Sequence, residues 1–205
     1  MNPRLIKYFL ATLGIIVAVL AIVFGSIQPL SRSQRFISAL RNVSNVKTLD
    51  EFKQNFDAAF NMSSPVGDEE LAKFLSDQIL NLISQENQPE DVSRALVAYL
   101  EPHMLQNNVR HLLAIGNMHV ELLRRFRKQI DFNQAESAYL RAMAIGPKLP
   151  PVLYTLADLY IAVGNRDKFT EIANTILSYW PDDAKLKSIL EVANSPVSVT
   201  PATSK

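Results

Sequence analysis

The most constraining feature of the sequence is an apolar run near its start. Residues 5–27 carry a single charge, Lys7, and the chain becomes polar after Pro29. At a rise of about 1.5 Å per residue, roughly 20 apolar residues cross the ~30 Å hydrocarbon layer as a helix that satisfies its own backbone hydrogen bonds. The run therefore predicts a transmembrane anchor over residues 1–29 and a function exercised at a membrane.

A cleaved secretory signal is the alternative interpretation of this run. Signal peptides have a charged start, which Arg4 and Lys7 would supply, and about 7–15 apolar residues before a cleavage site with small side chains. Here the apolar stretch over residues 8–24 is longer, and residues 23–26 (VFGS) form a poor cleavage site. Positive charges flank both ends almost equally, so the positive-inside rule does not orient the helix.

The composition excludes several classes of site. Cysteine is absent, so disulfides, cysteine nucleophiles and thiolate zinc sites are excluded. The formal net charge is +1, which does not indicate a basic surface for nucleic acid. Glycine is scarce, and the apolar residues recur every three or four positions instead of alternating. These features predict an all-α chain.

Helix start signals divide residues 30–107 into four predicted helices. A shorter amphipathic helix, with Phe36, Ile37, Leu40 and Val43 as its apolar residues, is predicted to continue from the membrane exit. Thr48 and Glu51 form a capping box that starts the second helix. Asp68 is predicted to cap the third helix, and Pro89 is predicted to lie in the first turn of the fourth, followed by two acids.

Self-similarity at a fixed period is strongest in the C-terminal half. The same interval separates Leu122 from Leu156 and Pro147 from Pro181. An interval of about 34 residues is typical of stacked helix pairs, in which each pair packs mainly on its neighbours.

This spacing resembles the tetratricopeptide repeat. Residues 116–149 present the small, aromatic, small pattern of the second helix of that family at Ala135, Tyr139 and Ala142. The residues Asp131 to Gln134 are predicted to cap this second helix. The resemblance implies two helix pairs in a solenoid-like stack.

The second predicted repeat, residues 150–183, departs from the family pattern. Phe169 stands where a small residue is usual and Ala173 where an aromatic is usual, so volume is nearly kept and the helices can still pack. Two repeats bury little surface alone, and a helix over residues 182–192 is predicted to cap the stack. Residues 195–205 lack a periodic pattern and are predicted to be disordered.

No catalytic, cofactor or metal site is predicted. His103, His111 and His119 are eight residues apart, or about 12 Å along a helix, which is too far for two ligands of one ion. Acidic pairs such as Asp182 and Asp183 occur at helix starts, where capping explains them. No nucleophile elbow, P-loop or dinucleotide fingerprint occurs. We therefore expect a protein that is not an enzyme.

The resemblance to the tetratricopeptide family implies a binding groove along the first helix of each repeat. The groove has a basic end beside an aromatic and apolar end, which suits an acidic or amphipathic protein segment, or an anionic glycan or lipid headgroup. A solvated charged helix face is the alternative. The seven predicted groove residues are Asn117, Val120, Arg124, Arg127, Lys128, Tyr154 and Asp158.

A second resemblance concerns the whole arrangement of a membrane span, helices and repeats. It is similar to the C-terminal end of bacterial O-antigen ligase or polymerase-like proteins, chiefly over residues 36–45 and 64–79. This resemblance implies a truncated or accessory part of a glycan-assembly protein, without the spans that carry the chemistry. It also leads us to expect a bacterial cytoplasmic membrane, with the C-terminal domain extracytoplasmic.

Together these observations predict an all-α, single-pass membrane protein with an α-solenoid-like domain. The preferred function is a scaffold that binds a partner protein at the cell envelope, and the alternative is the glycan-assembly fragment. The predicted domains are the anchor, an upstream helical region, the repeats with their cap, and a tail: 1–29, 30–107, 108–194 and 195–205.

Overall fold

The computed structural model describes residues 3–194, which contain no β-strand, and the predicted all-α class is confirmed. The predicted disorder of residues 195–205 lies outside the described residues. The helices are α1 (Pro3–Ile22), α2 (Gln28–Asn42), α3 (Leu49–Phe60), α4 (Asp68–Ile83), α5 (Glu90–Leu100), α6 (Val109–Phe126), α7 (Gln129–Ile145), α8 (Pro150–Ala162), α9 (Arg166–Tyr179) and α10 (Ala184–Asn194).

The helices belong to two compact units, Met1–Leu105 and Gln106–Lys205. In the first unit α2 packs on α3, and α5 packs on both α3 and α4. In the second unit consecutive helices pack on each other from α6 to α10.

A π-helical turn at Val23–Ile27 joins α1 and α2 into one continuous helix. Pro29 accounts for the turn, because proline lacks an N–H group and its ring crowds the carbonyl four residues earlier. The wider turn directs the N–H group of Gln28 to the carbonyl of Val23, and the helix continues past the proline. The amphipathic helix that was predicted to continue from the membrane exit is α2, which begins at Gln28.

This continuous helix is long and apolar enough to cross a membrane, and no residue of its most apolar window is buried in the protein. A signal sequence near an N-terminus would share the same length and composition.

The first unit holds α2 against its neighbours through a buried arginine. Arg32 is 3% exposed, and its Nε donates a hydrogen bond to the carbonyl of Ala59 at 3.0 Å. Its guanidinium also pairs with Asp68. The predicted cap at Asp68 is therefore wrong: Gly67, at a φ of 99°, precedes α4, and the carboxylate of Asp68 turns to Arg32.

The capping box at the start of α3 is confirmed in part. The N–H group of Glu51 donates to Thr48 Oγ1 at 3.2 Å, as the pattern predicts. The carboxylate of Glu51 accepts from the N–H group of Lys47 at 2.8 Å, one residue earlier than in a standard box. Phe52 and Phe56 on the inner face of α3 contact each other and are buried.

The second unit consists of two helix hairpins and a last helix. We call α6 with α7 the first hairpin, and α8 with α9 the second hairpin. One cluster of buried side chains runs through both hairpins and includes Tyr139, Leu156, Phe169 and Ile176. On the surface, Lys168 Nζ of α9 donates to Glu136 Oε1 of α7 at 2.5 Å, which ties the hairpins together.

Candidate functional site

Asn117, the first of the predicted groove residues, is exposed on α6 and is engaged by its own hairpin. Its Oδ1 accepts a hydrogen bond from the hydroxyl of Tyr139 at 2.6 Å. The Tyr139 ring is buried against Gly116, where an added Cβ would overlap the ring. Burial, with a contribution from the charge of Asp158, raises the pKa of Tyr139. Asn117 therefore serves the packing of the first hairpin.

The three predicted basic residues lie at the end of α6. Arg124 is exposed and forms two hydrogen bonds to Glu121 one turn earlier, at 2.5 and 2.9 Å. Arg127 ends the helix in the left-handed conformation, with a φ of 55°, and Lys128 is the cap residue before α7. Arg127 and Lys128 thus lie in the connection of the first hairpin, whereas Val120 is half-buried against the core.

The two predicted residues of α8 lie together with the start of α10. The hydroxyl of Tyr154 donates to the carboxylate of Asp183. Asp183 Oδ1 also accepts from the N–H group of Leu186 at 2.9 Å, so its predicted capping role is confirmed. The hydrogen bond between the two side chains raises the pKa of Tyr154 and lowers the pKa of Asp183. Asp158 is exposed one turn further along α8.

Two adjoining cavities between the second hairpin and α10 share the side chains of Ile161, Phe169 and Ile189. We call them together the α8–α10 slot. The smaller cavity, about 170 Å³, is also lined by Tyr154 and Asp158. The larger, about 480 Å³, is lined by five further residues, Gly164, Arg166, Ser188, Val192 and Ala193.

The sequence-based groove did not include α10, although the repeat spacing could have found it. One repeat period after Tyr154 and Asp158 come Ser188 and Val192, both exposed on α10. The structure brings Tyr154 and Asp158 together with this helix. The basic residues of α6 do not line the slot.

His103, His119 and the predicted cap residue Asp131 each lie against other side chains of the fold. His103 stacks on Phe60 with ring centres 4.1 Å apart, and burial lowers the pKa of His103. His119 Nδ1 lies 3.6 Å from the carboxylate of Asp131. Asp131 is buried in the first turn of α7, whose cap residue is Lys128, so the predicted cap at Asp131 is wrong. Within residues 3–194, no three His, Asp or Glu side chains are grouped to hold a metal ion.

The first unit carries a wider polar groove between α2 and α3, about 710 Å³ in volume. Its lining is mostly hydroxyl and amide side chains with one charge, Arg35. The polar side chains include Ser31, Gln34, Ser38, Asn42 and Gln54.

Residues 127–191 match the tetratricopeptide repeat family. The match covers about a third of the 205-residue chain and includes α7, α8, α9 and most of α10. Helix α6 lies just before the match, and its packing on α7 completes the first hairpin. The predicted resemblance to this family is confirmed for this segment. No curated protein is significantly similar to the chain.

Proposed function

We propose that the chain is a membrane-tethered scaffold that binds a partner protein through its tetratricopeptide-like second unit. The observation that carries the proposal is the family match over α7 to α10, because repeats of this kind generally mediate protein–protein interaction. The surface we assign to the partner runs along α6, α8 and α10 and includes Val120, Asp158 and Ser188.

The exposed surface of α1 supports the tether. Its large apolar side chains are open to the surroundings, as at Phe9 (68% exposed) and Ile15 (66%). An apolar surface of this extent is stable when lipid covers it, and the length of the helix matches a bilayer. We therefore propose that the helix is retained as a single-pass anchor.

We propose that binding depends less on an acidic partner than the sequence predicted, because one of the charges at the end of α6 is already paired. The side chain of Arg124 is held by Glu121, which offsets its charge. We propose a binding protein without catalysis of its own, since Asn117 on α6 and Asp183 in the slot are engaged in packing and capping hydrogen bonds. The glycan-assembly alternative has only its sequence resemblance in its favour, and we do not propose it.

Photo-crosslinking in cells tests the proposal. A benzophenone amino acid is placed in the full chain at Val120, Asp158 or Ser188, with the exposed Asn174 of α9 as control. We expect the groove positions to capture one and the same protein, identified by mass spectrometry, and the control position to capture none. The conjugate should stay in the membrane pellet after alkaline carbonate extraction.

Two results would contradict the proposal. Capture from Asn174 alone, or from no groove position, would show that the proposed surface does not bind the partner. A soluble chain that begins near Ser26 would show that residues 5–27 are a signal sequence instead of an anchor.

A further inference from the structure

The α8–α10 slot has an apolar floor that remains open to solvent at its rim. Phe169 forms the floor and is 2% exposed, while Ile161 is 44% exposed and Val192 74% exposed. Exposed apolar side chains that line one concavity mark a place where another apolar group is buried.

The floor is specific to this end of the repeat unit. Phe169 occupies the position that Ala135 occupies one repeat earlier, in the first hairpin. Because the aromatic ring comes one turn earlier in α9 than the ring of Tyr139 does in α7, it lies beside Ile189 of α10 at the base of the slot. A small residue at this position would remove the aromatic ring from the floor of the slot.

The two ends of the slot carry opposite charge. Asp158 and Asp183 line one end together with Lys185, and Asp182 is exposed next to them. Arg166 lines the other end. The carboxylate of Asp183 is held in place by Tyr154 and by the N–H group of Leu186, so its charge is fixed at the rim. The acidic end therefore favours a cation, and it does so next to an apolar surface.

We infer that the slot binds a short apolar segment of a partner protein that carries a lysine or arginine beside the apolar residues, with the cation at Asp158 and Asp183. The inference rests on the proposed function, of which it specifies the partner. From Lys185 to Val192 the slot extends about 10 Å along α10. An extended segment of about three residues, at about 3.3 Å each, fills that length.

Peptide selection on the full chain in lipid nanodiscs tests the inference. The probe is a phage library of random nonapeptides, selected on the wild-type chain. Ser188→Trp is the blocking variant, because Ser188 is exposed and lines the larger cavity, where an indole would take the place of the ligand. Ser178→Trp is the matched control, since Ser178 is exposed on α9 and does not line the slot.

We expect the enriched peptides to combine two or three apolar residues with a lysine or arginine. Fluorescence anisotropy should show equal binding to the wild type and to Ser178→Trp, and binding weakened about tenfold or more by Ser188→Trp. Asp158→Lys should weaken binding severalfold and reduce its dependence on salt, whereas Asp167→Lys, outside the slot, should leave binding unchanged. Circular dichroism should show unchanged melting for all four variants, since exposed substitutions change stability little.

Several outcomes would overturn the inference: no enrichment, an acidic consensus, or equal binding to Ser188→Trp. Peptides similar to residues 195–205, together with tighter binding after deletion of those residues, would also overturn it, because the occupant would then be the chain itself. Loss of self-association in Ser188→Trp would assign the slot to a second copy and reject a partner segment.

The crosslinking experiment separates these failures from failure of the proposed function. If Val120 still captures a partner while the slot variants have no effect, the scaffold function stands and the slot assignment falls. If no groove position captures a protein, the scaffold function itself is rejected.

Discussion

The first and second hairpins bury side chains of opposite size at equivalent positions. All six residues are buried, and those of the second hairpin follow those of the first by one repeat period. The three pairs are Ala135 and Phe169, Tyr139 and Ala173, and Ala142 and Ile176. In the first hairpin the aromatic ring closes against Gly116, whereas in the second it lies next to a cavity shared with α10.

The difference shows that the position of the ring decides where space is left. The ring of Tyr139 fills the interior between α6 and α7 so closely that Gly116 has no room for a side chain. The ring of Phe169 lies one turn nearer the start of its helix and faces the edge of the stack. In the second hairpin the ring therefore borders a cavity that continues to α10.

The largest expected effect on this comparison comes from Tyr139→Ala. Removing the buried ring should lower the free energy of unfolding by about 3–5 kcal/mol, because Gly116 cannot fill the space. Urea unfolding of the detergent-solubilised full chain, followed by the fluorescence of Trp180, the one tryptophan in the sequence, measures this. Tyr139→Phe keeps the ring and loses the bond to Asn117, and should cost about 1 kcal/mol. Equal losses for the two variants would show that the ring does not close this hairpin.

Exchanging Phe169 and Ala173 in the second hairpin tests whether the large and the small side chain compensate for each other in volume. Phe169→Ala should cost about 3 kcal/mol, the lower end for a buried phenylalanine, because the side chain borders an open cavity. Ala173→Phe should cost about 1–3 kcal/mol by overpacking. The double variant restores the pattern of the first hairpin and should cost less than the sum, measured by the same unfolding experiment. Strict additivity would mean that the two positions do not share one volume.

A smaller loss is expected from Gly116→Ala. The new methyl group meets the Tyr139 ring, and the resulting shift should cost about 1–3 kcal/mol. Gly14→Ala is the matched control, because a Cβ at Gly14 meets no atom within 4 Å. A neutral Gly116→Ala in urea unfolding would show that the two helices of the first hairpin approach less closely than described.

The smallest effect concerns the ion pair between the hairpins. Lys168→Met removes the contact with Glu136 and should cost up to about 1 kcal/mol, because the lysine is nearly half exposed. The loss should shrink in high salt. Lys187→Met, on the exposed face of α10, should leave the unfolding midpoint unchanged at either salt concentration. A salt-independent loss in Lys168→Met would point to its packing over Tyr160 instead of its charge.

The sequence predicted a groove along α6 and α8, and of its residues only those of α8 line the slot. Tyr154 and Asp158 line the slot, as membership of one helix face suggested. Asn117 had looked available because it is polar and exposed, yet the hydroxyl of Tyr139, on the next helix, uses it. Arg127 and Lys128 had been placed on a helix face by counting, but α6 ends before them. Hydrogen bonds to another helix, and the residue at which a helix ends, depend on neighbouring elements. The spacing of residues within one helix does not reveal them.

The sequence by itself determined the features that depend on local spacing along the chain. These include the all-α class, the apolar length of α1, the cap at Thr48 and the repeat period, since each follows from helix geometry and its repetition. The tertiary structure alone decided that Asp68 turns to Arg32, on a different helix, instead of capping α4. It also decided that Phe169 lines a slot together with residues of α10. Both results depend on which side chains of distant segments fill the same space, and a buried group takes the partner that folding brings to it.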